Sequence, residues 1–465
     1  MVEKERIIDR VLNKEIKIGS IPFKVLDIIF ILALWFIAFM ARYALFPIVS
    51  ADYFGFLEKW MNQIKELGGF ASLGTQISNY TSPYMYLMCL VSGFDNSLYA
   101  LKFISVFFDY FASVAIFLIV YELTKSTGKA TLGMAILLLC PTVIIDSAYW
   151  CQCDIIYTSF ILWALLFFFK DKSTGCFVFL GIAFAFKLQT IFILPFIIIM
   201  WLKKRTIRLA DILYMPAIYI VAQLPAWMFG RPFKELMLIY FDQSSYYPWG
   251  TLEYPNIYAI LDETIETYHH MDEVSSAGTW MTMILLGFLA YYIYRKKIRI
   301  TDDLAITIAL FSVAITVYTL PHMHDRYGFL IDLIAIVYAM RRPKKLPVLC
   351  GFVLVSIVSF MPYLTAAHIF SIRTVAVFML GLITYVGYDL YQQVCENVIV
   401  EVPEEEALEV VSDEEDDTDI EEIILDDLID AIEGYESEDM NEASGSEDSE
   451  HEGNDSEVVM DVNIF

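Results

Sequence analysis

Apolar residues gather in long runs along this chain, separated by short polar breaks. A helix that crosses a bilayer needs about 20 mostly apolar residues. About twelve segments approach that length: 23–45, 97–123, 129–148, 154–170, 175–187, 189–202, 209–229, 279–295, 302–320, 327–340, 346–362 and 370–393. Those at 175–187, 189–202 and 327–340 are short for a bilayer and predict tilted or broken spans. The pattern predicts an all-α polytopic membrane protein. Two long connections stand out, 46–96 and 230–278. Within the first, Glu58, Lys59, Trp60, Met61 and Ile64 predict an amphipathic interfacial helix ended by Gly68 and Gly69. The apolar stretch 83–96 is read as a surface element that does not cross.

Composition agrees. Hydrophobic residues make up 58% of the 465 and charged residues only 19%, where soluble proteins carry about a quarter charged. The net charge of −26 belongs to one end. Residues 401–465 hold 28 of the 57 acids and no Lys or Arg, and 57 less 28 leaves 29 acids against 31 bases in residues 1–400. The division is an N-terminal segment 1–22, a transmembrane domain 23–395 and an acidic tail 396–465. A tail of that composition is mostly disordered, apart from an amphipathic stretch at Ile420–Ile432. A near-neutral body with an acidic tail predicts no nucleic-acid partner.

Basic residues orient the chain. With both termini cytoplasmic, the clusters at Lys4–Lys17, Lys125/Lys129, Lys170/Lys172, Lys203–Arg208, Arg295–Arg299 and Arg341–Lys345 all fall inside. A span at 83–96 would invert the later clusters and is rejected for that reason. The charged lead and long apolar run of the first span do not read as a cleaved signal peptide.

The unusual polar residues then collect on the outer face. Asp52 follows the first span, where a carboxylate can sit in the headgroup zone or serve as a general base. Trp150, Gln152 and Asp154 combine a ring, an amide and an acid, a set suited to sugars. Lys187 and Gln189 interrupt an apolar run, where a lysine must snorkel or find an anion. His322, His324, Asp325 and Arg326 crowd six residues, and Arg231 opens the second outer loop. Arg with His suits a phosphate. The two His at i, i+2 lack a third ligand, so no metal and no cofactor are expected. Seven scattered cysteines show no zinc spacing and are read as packing residues.

Five of these elements, in order, resemble the GT-C superfamily of integral-membrane glycosyltransferases. The nearest likeness is to the PIG-V-like (second GPI mannosyltransferase) family and its bacterial relatives. They are Ser50-Ala51-Asp52-Tyr53, Asn79-Tyr80-x-x-Pro83-Tyr84, Trp150-x-Gln152-x-Asp154, Phe186-Lys187-Leu188-Gln189 and Met323-His324-Asp325-Arg326-Tyr327. The likeness covers roughly 20–395. Cys151, where a small residue is expected, and the acidic tail depart from it. The resemblance implies a GT-C-like fold. It implies a hexose, mannose first, moved from a polyprenyl phosphate to an acceptor hydroxyl of a glycan, lipid or protein by one inverting displacement. Asp52 would take the acceptor proton; Lys187, Arg326 and His324 would stabilise the phosphate; Gln152 and Asp154 would orient hydroxyls. The setting implied is a multi-pass plasma-membrane protein, or one of the endoplasmic reticulum in a eukaryote. The rival expectations are a transporter or flippase, or a polymerase, of lipid-linked saccharides. For a transporter, Asp109 and Asp332 are the acids near midplane.

Overall fold

The computed structural model describes residues 7–204, 206–244, 249–261 and 271–399. Residues Val400–Phe465 form a separate unit, and the expected tail helix at Ile420–Ile432 lies outside the described residues.

Every one of the twelve apolar segments contains helix, but twelve full-length spans are not what the chain has. Among the described residues, seven helices are long and apolar enough to cross a membrane: Val25–Tyr43, Ser97–Thr124, Leu209–Met228, Met271–Arg295, Asp302–Thr319, Pro343–Thr365 and Ile372–Glu396. An eighth arises if Thr127–Leu139 and Pro141–Tyr149, bent by 48°, count as one. Proline explains the bend, because Pro141 has no N–H to continue the ladder. The rest, Asp154–Phe169, Ser173–Phe186, Leu188–Trp201 and Phe329–Arg341, are shorter. At 1.5 Å per residue they reach roughly 20–24 Å, less than the hydrocarbon thickness of about 30 Å. Phe329–Arg341 is buried at every position from Phe329 to Met340. A helix wrapped by other helices need not match the bilayer, which is why apolar runs read along the sequence overcount full-length spans.

Residues 83–96 do not form a span: the helix there is Ser82–Leu90, nine residues long. Tyr84, Met85, Met88 and Cys89 bury its inner face. The expected amphipathic helix is present at Glu58–Glu66, with Met61 and Ile64 fully buried. Gly68 and Gly69 end it in the left-handed region, at φ +82° and +67°, a conformation other residues adopt only under strain. Where the N-terminal segment 1–22 meets the expected first span, an antiparallel hairpin pairs Glu15–Ile18 with Ile21–Lys24.

The two ends of the body differ in kind. At one, Lys203 Nζ donates to the Lys296 carbonyl, Lys204 pairs with Asp171, and Arg341 binds Asp303 and the Leu123 carbonyl. Arg342 and Lys345 close on Asp389 there. The basic clusters within the described residues from 125 to 345 thus share one end. At the other, Ser105 contacts residue 152. Ser105 and Leu123 lie on the same helix, 18 residues or roughly 27 Å apart along its axis, about one hydrocarbon thickness.

Buried ion pairing fastens this frame. Asp109 Oδ2 accepts from Arg42 Nε at 2.7 Å and from Ser147 Oγ at 2.6 Å. Arg42 also donates to the Ala38 and Leu138 carbonyls. The first span, the long second helix and the bent element are locked together just before Trp150. Asp332, the other acid expected near midplane, is fully buried in the first turn of Phe329–Arg341.

Candidate functional site

Asp52 sits in a helical turn that leads into the π turn Tyr53–Leu57, and Ser50 pins its start. Ser50 Oγ donates to the Trp150 carbonyl at 2.7 Å and accepts from the Tyr53 N–H at 3.2 Å. The segment it touches follows a π turn at Ile145–Tyr149, closed by Trp150 N–H to Ile145 O at 2.8 Å. Cys151 then takes φ +66°. That left-handed residue reverses the chain, and Gln152 N–H bonds back to Asp146 O at 2.8 Å. This backbone conformation gives a physical reason for a small side chain at 151. The result aims Gln152 at Asp52: Nε2 donates to Asp52 Oδ2 at 2.6 Å, while the Gln152 carbonyl is held by Ser105 Oγ at 2.6 Å. Gln152 therefore orients a carboxylate while lining the cavity beside it.

Asp154 opens the helix Asp154–Phe169 and is fully buried. Its Oδ1 pairs with Lys187 Nζ at 2.5 Å and its Oδ2 with Arg326 at 3.4 Å. The lysine that interrupts an apolar run thus finds its anion within the protein. Lys187 and Arg326 keep 13% and 15% of their side chains exposed and Asp154 none, and both cations line a cavity.

The His322–Tyr327 segment is set by a parallel strand pair, Thr251–Leu252 with Met323–His324. His322 N–H bonds to Gly250 O and Asp325 N–H to Leu252 O, both at 2.9 Å. Ser359 Oγ donates to the Asp325 carbonyl at 3.0 Å. Arg326 lies over the Trp150 ring, 5.0 Å from its centroid. Phe360 packs against the same indole at 5.4 Å. Trp150 is only 2% exposed, so it is a platform for Arg326 and not an open sugar-stacking face.

Electrostatics sort the members of this segment. Burial, together with the nearby Arg326 and Lys187 charges, drops the His324 imidazole to about 3. It is neutral at physiological pH and adds no positive charge for a phosphate, contrary to the cationic role expected of it. Burial pushes the Asp325 carboxyl up to about 7 against the pull of Arg326. Burial also works against the Arg326 charge, but Asp154 and Asp325 outweigh it, so the guanidinium stays ionised.

Two adjoining cavities receive these groups. One, about 300 Å³, has Asp52, Trp60, Gln152, Asp325 and Tyr363 in its walls. The other, about 380 Å³, has Lys187, Gln189, Gln243 and Tyr327. Asn79, Tyr80, His324 and Arg326 line both. An acid and two cations therefore face neighbouring spaces divided by one thin wall.

Two candidates stand apart. Arg231 is 3% exposed and lines neither cavity; it lies in the field of Glu235, Tyr86 and Tyr219. His322 is engaged by Ser275 Oγ at 2.9 Å and the Trp249 carbonyl at 2.7 Å. It faces a third, smaller space of about 210 Å³. Tyr84, the last residue of the Asn79–Tyr84 motif, is core, with its ring 4.9 Å from Tyr80. Two of the seven cysteines, Cys350 and Cys395, are exposed and not packing residues. Tyr363 was not apparent from sequence: one tyrosine among 29 gives no signal before the chain folds.

No protein-family model matches the chain, and a search of curated proteins finds no similar sequence. What fold and site define is a class: a helical, membrane-embedded protein with an ionised cluster and paired cavities at one end of its helices.

Proposed function

We propose that this protein is a GT-C-like membrane glycosyltransferase that moves a hexose, mannose first, from a polyprenyl phosphate to an acceptor hydroxyl. The observation that carries the reading is the division of charge: Asp52 lines one cavity, Lys187 the adjoining one, and Arg326 lies between. In an inverting displacement the acceptor oxygen attacks the anomeric carbon as the phosphate leaves from the opposite side. Such a reaction needs a base on the acceptor side and cations on the phosphate side. Asp52, oriented by Gln152, takes the acceptor proton. Lys187 and Arg326, both anchored by Asp154, meet the charge that grows on the departing phosphate. A donor held in lipid explains why the catalytic groups sit on a mostly apolar body.

The basic end faces the cytoplasm. The site then lies on the exoplasmic face, in a plasma membrane or, in a eukaryote, facing the lumen of the endoplasmic reticulum. The short apolar helices Asp154–Phe169, Ser173–Phe186, Leu188–Trp201 and Phe329–Arg341 join the longer ones to complete twelve membrane passes.

The test uses purified protein in lipid with radiolabelled polyprenyl-phosphate mannose and glucose, and crude membrane extract as acceptor source. Release of label from the lipid, with inverted configuration in the product, is the expected result. If neither donor is consumed, the reading falls, and transport or polymerisation of lipid-linked saccharides takes its place.

A further inference from the structure

The transferase reading leaves open what the larger cavity recognises, and its walls are informative. Four carboxamides face it, from Gln76, Asn79, Gln189 and Gln243. Each amide offers both donors and an acceptor, the set that a ring of hydroxyls satisfies and a bare phosphate or an isoprenoid chain does not. Tyr80 and Tyr327 add aromatic surface, which suits the apolar face of a sugar. No carboxylate is among the described residues of the wall, so an amino sugar finds no counter-charge there. A volume near 380 Å³ lies at the small end of ligand cavities, roughly 300–1,000 Å³.

One residue separates itself from the rest. Gln189 follows Lys187 in the tight turn Leu188–Ile193. Its side chain shares the cavity wall with Tyr327. It is 8% exposed, yet its Oε1 has no hydrogen-bond partner among the described residues. A buried acceptor without a donor is costly, and a hydroxyl that supplies one recovers that cost. Nearby, Gln243 Nε2 donates to the Asn79 carbonyl. That bond ties the helix Phe233–Ser244 to the loop before Ser82 and braces the cavity rim.

We infer that the Lys187-side cavity is the saccharide-recognition site for the lipid-linked donor, and that Gln189 sets its specificity by accepting a hydrogen bond from one ring hydroxyl of a neutral hexose. This rests on the transferase reading and deepens it. The sugar lies among the amides with its phosphate toward Lys187 and Arg326. The acceptor enters from the Asp52 side, across the wall formed by Asn79, Tyr80, His324 and Arg326.

The experiment measures KM and kcat for the accepted hexosyl donor and its monodeoxy analogues. It compares wild type, Gln189→Met, which keeps the length without an acceptor oxygen, and Gln189→Glu, which keeps the acceptor. One deoxy donor should show KM raised about tenfold in wild type, the size of one neutral hydrogen bond. Gln189→Met should raise KM for the full donor by a similar factor, with kcat little changed, and should no longer distinguish that one analogue. Penalties at the other positions should persist, since deletions that share an interaction are not additive. Gln189→Glu should restore the distinction and shows that the site tolerates substitution. If Gln189→Met keeps the same set of deoxy penalties as wild type, the assignment of Gln189 is overturned while transfer itself stands. If wild type consumes no lipid-linked hexose at all, the transferase reading fails and takes this inference with it.

Discussion

At the scale of single residues, Asp325 has the most to say about pH. Its carboxyl is raised to about 7 by burial, so it is neutral below that pH and an anion above it. An ionised Asp325 draws on Arg326, whose Nε lies 3.7 Å from Asp325 Oδ1, and leaves less positive charge for a substrate phosphate. Donor KM should therefore rise as pH passes through about 7, and Asp325→Asn should flatten the rise. A KM profile unchanged by Asp325→Asn contradicts this coupling. Stability follows the same group. The folded state holds a proton that the unfolded state has lost, so stability falls as pH rises from the ordinary carboxylate range toward 7. At this scale the sequence was partly legible. Asp52, Gln152, Asp154, Lys187 and Arg326 stand out as polar residues where apolar ones are expected, and they do converge. Roles were less legible than positions. Trp150 looked like a sugar platform but lies under a guanidinium, and Gln152 looked like a ligand group but holds Asp52. Such differences depend on which partner is nearest in space, which spacing along a chain does not record.

At the scale of elements, apolar runs revealed all twelve helical segments, because burial in lipid or among helices demands apolar residues in both cases. The same fact hid which helices are full-length. Pairings between distant segments were invisible as well: Thr251–Leu252 with Met323–His324 has too few residues to leave a pattern. The Arg42–Asp109 pair belongs here, since it joins three elements and both side chains are fully buried. Removing one partner leaves an uncompensated buried charge, which costs about 3–5 kcal/mol. Arg42→Met or Asp109→Leu alone should markedly lower the temperature of thermal inactivation in detergent. The double variant should recover much of the loss, because paired apolar groups replace a buried ion pair at small cost. A double variant as unstable as the sum of the singles shows that packing around each side chain matters more than their charge.

For the whole molecule, the separation of the ionised cluster from the basic end by about one hydrocarbon thickness is the feature with most consequence. On the proposed function, it places acid, cations and amides where a lipid-borne donor meets a water-borne acceptor. All the groups assigned to the site lie between residues 52 and 363, among the described residues. Deletion of 401–465 should leave donor consumption unchanged in correctly inserted protein, as measured by label released from lipid. Loss of activity in that truncated protein would give the tail a role in transfer.

The central claim is that Asp52 is the base of a lipid-linked sugar transfer. Single-turnover release of hexose from polyprenyl phosphate, compared between wild type and Asp52→Asn with folding of both verified, tests it most directly. The asparagine keeps the shape and still meets Gln152, but cannot accept the acceptor proton. The predicted result is a rate about 10²–10⁴-fold lower with donor binding retained, the range for loss of a general base. A variant that transfers at the wild-type rate would contradict the account.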